Sequence, residues 1–342
     1  MTIAVGPWYG LDAASPIGPA GPCPAEAKAY TVATSISWIS ARSEYWPVHR
    51  AEASPGLIVP GPVLGVACLV FGIGVSGAGW VDRLARSGWF SGLEPQPEDL
   101  ARAHGEPGGH WRLPAPCAES QHDIAGAARA FFEYGPLPNA PLATVAVMPD
   151  ANQADFAAAL GLVAALRERR CERGCRTAVV VTVDGSSTPA LLVLVRAVRD
   201  LGAFVVRAGI AAGGDHLHHF PLRAATIPRA GHLVCVDLAD HLTCWPPGGV
   251  ADLHVIPSAY DAAEQAFCRL ADAGHADDRG GAQAINLHLH LDADAPGSAL
   301  VQIDRLATSC QGLLLASDGN MVFTDAERLD GTTATADLLI VR

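Results

Sequence analysis

The sequence has no block of lysine and arginine. Its 23 basic residues are scattered among 35 acidic ones, for a formal charge of −12 at pH 7. A nucleic-acid groove or an anionic-membrane patch needs clustered cations, so neither is the main business of this chain. Aromatic residues are few, at 6%, and charged residues make up 17%, while half of the chain is hydrophobic. The core must therefore be built largely from small aliphatic side chains in close helix–sheet packing. The nine cysteines are odd in number and irregularly spaced, and no secretory leader pattern opens the chain. Reduced thiols in the cytoplasm are the expectation. Cys171 and Cys175 lie one helical turn apart, but no second pair repeats the spacing, so no metal site is predicted. A long unbroken apolar run is also missing. Gly56–Val75 is long enough to span a bilayer, yet Pro60 and Pro62 interrupt it, and it reads as a buried strand with an extended lead-in.

What is present is a strand, a glycine turn and a helix in Cys68–Leu84. The apolar run Ala67–Phe71 leads into Gly72, Gly74, Ser76, Gly77, Ala78 and Gly79, and Val81 and Leu84 then mark a helical face. In α/β proteins this arrangement turns backbone N–H groups and a helix N-terminus toward an anionic phosphate, with glycines allowing close approach. A glycine-rich turn with no ligand fits the same residues equally well.

The rest of the chain alternates. Leu142–Met148, Thr177–Val183 and Ala203–Val206 are short apolar strands, and Glu119–Tyr134, Asp155–Arg170 and Pro189–Leu201 carry helical periodicity. Continuous β-branched runs between helices predict a parallel sheet covered on both faces, with ligands at the carboxyl ends of its strands. Gly72–Gly79 and Pro149–Asn152 both fall at such ends. Residues 1–55 read as an irregular arm in which only Tyr30–Ile39 has β-like content. Ser87–Pro116 reads mostly as loop, and Gly209–Pro228, with His216, His218 and His219, as a polar surface loop. In HLVCVDLAD, Asp237 and Asp240 stand three residues apart after an apolar lead. Asp237 is either a helix N-cap or half of a carboxylate pair presented to a water or metal on a neighbouring molecule. Beyond Ala251 the pattern predicts strands at Asp252–Ile256, Ala284–Leu291, Gly312–Ala316 and Asp337–Val341, with helices at Asp261–Ala273 and Ser298–Thr308.

Taken together, GIGVSGAGWVDRL, LVCVDLAD and the block ending in TATADLLIVR resemble the FtsZ/tubulin superfamily over roughly Val66–Arg342. The resemblance implies a Rossmann-like, parallel-sheet nucleotide-binding domain at residues 56–230, then an acidic loop and a smaller mixed-sheet α/β domain at 231–342. It also implies GTP or GDP on Gly72, Gly74, Ser76, Gly77, Ala78, Gly79 and Asn152, with Asp237 and Asp240 polarising the attacking water across a subunit interface. The family's acidic loop begins with Asn where this chain has Cys235, and its second phosphate loop, rich in glycine, is replaced by MPDANQADF. Asp150 and Asp155 thereby add negative charge where phosphate oxygens would lie. The expectation is a divergent FtsZ/tubulin-like protein that self-associates or binds a family partner, without a transmembrane segment, with weak or lost GTP turnover or no nucleotide at all. One alternative is an active GTP-hydrolysing filament former, in which Asn152 or backbone groups replace the missing glycines. Another is an unrelated Rossmann-type dinucleotide enzyme.

Overall fold

The computed structural model describes residues 34–42, 67–86, 109–113, 121–135, 137, 140–169, 176–184, 188–209, 212–225, 238–257, 284–292, 320–328 and 335–342. Its elements are, in order, β1 (Ser35–Arg42), β2 (Ala67–Ile73), α1 (Val75–Arg86), β3 (Gly109–Arg112), α2 (Gln121–Tyr134), β4 (Leu142–Val147), α3 (Gln153–Glu168), β5 (Ala178–Val183), α4 (Pro189–Asp200), β6 (Phe204–Ala208), α5 (Gly214–Ala225), α6 (Leu238–Cys244), β7 (Val250–Pro257), β8 (Ala284–Asp292), β9 (Asn320–Arg328) and β10 (Thr335–Val341).

The strands form one ten-stranded sheet in the order β3-β1-β2-β4-β5-β6-β7-β10-β8-β9. Neighbours from β2 through β7 run parallel. Among the described strands only β1 and β10 oppose that direction, each antiparallel to both of its neighbours. The fold is thus α/β with a mixed, mostly parallel sheet. The boundary expected near residue 230 falls between β6 and β7, which pair side by side within this sheet.

Alternation along each strand sends side chains to two cores. Leu69, Phe71 and Ile73 of β2, with Val145 of β4 and Val181 of β5, pack under α2, α3 and α4 through Phe132, Leu162 and Val198. The opposite face, with Val70, Ala146, Val180, Val206 and Leu253, lies under α1 and α5 through Trp80, Val81, Leu217 and Phe220. Both faces are covered, which is why the central strands read as unbroken apolar runs.

Several expectations shift. Within the arm, β1 pairs with β2 and overlaps the β-like stretch Tyr30–Ile39. Ser87–Pro116, expected as loop, contains β3. Gly209–Pro228, expected as a surface loop, contains α5, with Leu217, His218, Phe220 and Leu222 buried. Three histidines and Pro221 mask that helix in the sequence; burial of its apolar face outweighs their poor helix propensity. The strand β9 has no counterpart among the expected elements. The expected helices at Asp261–Ala273 and Ser298–Thr308 and the strand at Gly312–Ala316 lie outside the described residues.

A Cβ on Gly72 would stand 2.2 Å from the Gly77 carbonyl oxygen, and one on Gly77 would stand 2.6 Å from the Gly72 carbonyl carbon. The end of β2 and the first turn of α1 touch backbone to backbone. Gly72→Ala or Gly77→Ala should therefore lower stability by about 1–3 kcal/mol in urea unfolding. Gly79→Ala, whose Cβ would meet only the Arg83 guanidinium at 3.6 Å, should be neutral or gain up to about 1 kcal/mol from helix propensity.

Candidate functional site

The site builds outward from Gly74. Its φ of +86° lies in the left-handed region that favours glycine, and its N–H donates to the Ser35 carbonyl at 3.0 Å, tying the turn to β1. The chain then enters α1 with Val75 77% exposed and Ser76 also facing outward. Gly72, Gly74 and Gly77 are buried in the turn, whereas Ala78 and Gly79 are half-buried.

The place where an anion would meet the α1 N-terminus is taken by this chain's own carboxylate. Asp150 Oδ2 accepts from the Ser76 hydroxyl at 2.7 Å and from the Ser76 N–H at 3.3 Å. Asp150 reaches it from the loop after β4, the strand paired with β2.

Asn152 is spent on the next helix. Its Oδ1 accepts from the Ala154 and Asp155 N–H groups at 2.8 and 3.2 Å, and its own N–H donates to Asp155 Oδ2 at 3.0 Å. This reciprocal capping box starts α3. It also buries Asp155, which is 3% exposed, and among the described residues Asp155 Oδ1 has no hydrogen-bond partner. Burial pushes the Asp155 carboxyl above the usual carboxylate range; the Asn152 amide opposes the shift and the Asp150 charge adds to it. A third carboxylate, Asp184 at the end of β5, accepts the Gly214 N–H at 2.6 Å where α5 begins. Along the carboxyl rim of the sheet, the N-termini of α1, α3 and α5 thus each hold a carboxylate of the chain itself.

The expected acidic pair is placed only in part. Asp240 lies exposed in the first turn of α6, a helix packed against α5, β8 and β9 and so well along the sheet from Ser76. Asp237 and Cys235 lie outside the described residues.

The histidines of α5 were not anticipated as structural. His218 is fully buried, with Nδ1 2.7 Å from the Thr182 hydroxyl and its ring edge-on to Trp80 at a centroid distance of 5.6 Å. His216 Nε2 meets Asp337 of β10, also fully buried, at 2.7 Å. Arg83 joins Asp215 at 3.0 Å, tying α1 to α5. Among the described residues no group of three or more His, Cys, Asp or Glu is placed to hold a metal, and no helix is long and apolar enough to cross a membrane. The buried His–Thr and His–Asp partners come from separate strands, so no local spacing signals them. Asn152 followed three residues later by Asp155 is a readable capping signal.

Two pH responses follow. Burial holds the His218 imidazole down at about 4 against its usual 6.5. The unfolded chain therefore takes up a proton that the folded one refuses as pH falls through this window. Stability is full above 6.5 and declines toward 4, by on the order of 2–3 kcal/mol if nothing else titrates; His218→Gln should flatten that slope in urea melts taken at several pH values. Asp155 acts oppositely. Its raised carboxyl means that the penalty for burying charge is full at neutral pH and is relieved as pH falls through the folded-state value. Asp155→Asn should accordingly raise Tm at pH 7, and the gain should shrink on acidification.

No family model matches the sequence, and no curated protein matches it. Solved structures similar to this chain include a point mutant of FtsZ from M. jannaschii, at 13% identity over 65% of this chain and 69% of that chain, with a TM-score of 0.42. The empty FtsZ dimer of M. jannaschii is similar at 12% identity over 65% and 68%, with a TM-score of 0.42. GDP-form protofilaments of TubZ from Bacillus thuringiensis serovar israelensis are similar at 11% identity over 59% and 63%, with a TM-score of 0.39. No residue role, ligand or activity follows from likenesses of this strength.

Proposed function

We propose that this chain is a divergent FtsZ/tubulin-like protein of the cytoplasm whose nucleotide pocket has lost most or all of its hold on GTP and GDP. In this reading it works by association, with itself or with a protein of that family, in cytoskeletal or membrane-remodelling assemblies. Residues 56–230 act as the nucleotide-binding-like part and residues 231–342 as its companion. Asp237 and Asp240 are the partner-facing acids.

One observation carries the reading: the Asp150 carboxylate occupies the Ser76 N–H and hydroxyl at the mouth of α1. Support also comes from Asn152, whose backbone N–H is given to Asp155 and whose Oδ1 caps α3, so that its backbone cannot stand in for that of the missing glycines. A γ- or β-phosphate entering here would have to displace Asp150 and then lie beside it. Two unit charges of like sign 4 Å apart repel by about 1 kcal/mol in water and about 4 kcal/mol at an effective dielectric near 20. The Ser76 N–H and hydroxyl, already occupied, offer little in return.

Nucleotide content of the purified full chain and a fluorescent-GTP titration test this. The expected result is substoichiometric nucleotide and little GTP hydrolysis, with Asp150→Ala improving affinity for GTP or pyrophosphate about tenfold or more. Stoichiometric bound GTP with brisk, concentration-dependent hydrolysis would overturn the reading in favour of an active filament-forming GTPase.

A further inference from the structure

We draw no further inference here: the strongest candidate, the exposed apolar patch that Leu192 and Val193 form on α4, carries nothing because nothing in the structure shows what covers it.

Discussion

The contact between Asp150 and Ser76 fills the N-terminus of α1 from within the chain. A helix N-terminus carries roughly half a positive charge. Here a full negative charge from the same chain answers it, delivered by a loop that the β2–β4 pairing fixes in place. An external anion competes with a tethered one, whose effective concentration is high because the sheet has already ordered it. The same solution recurs at α5, where Asp184 takes the Gly214 N–H. A glycine-rich βα turn is therefore not by itself a phosphate site; what occupies its donors decides.

The glycines of the turn have a separate explanation. Gly72 and Gly77 are required because strand and helix backbones touch there, and Gly74 because the chain reverses through a left-handed conformation. Packing and phosphate cradling demand the same residue type, so packing alone accounts for the pattern.

That double demand also marks where sequence reading stops. The parallel strands were legible because burial on both faces turns Leu142–Val147 and Ala178–Val183 into unbroken apolar runs. The charge of Asp150 and Asp155 near the turn was legible too, since both follow the end of a strand. What one-dimensional pattern cannot express is that Asp150 reaches Ser76 across 74 residues, or that Thr182 waits beneath His218. The helix α5 escaped for a related reason. Its polar residues meet partners on other elements, Asp337 and Thr182 among them, so a segment polar in sequence is half interior in space. For the acidic pair, Asp240 stands in the first turn of α6, which says nothing of what it faces.

The position of β10 has a consequence for how the molecule is made. It is the last described strand in sequence, yet it stands between β7 and β8. During synthesis β8 and β9 can pair with each other as soon as they emerge, but they have no way into the main sheet until β10 is available to bridge them. Until then β7 presents an open parallel edge, the kind of template that recruits stray strands. The final docking step joins segments far apart in the chain and is slow for that reason. A nascent chain stalled just short of Thr335 would hold a nearly complete β1–β7 sheet beside an unattached pair.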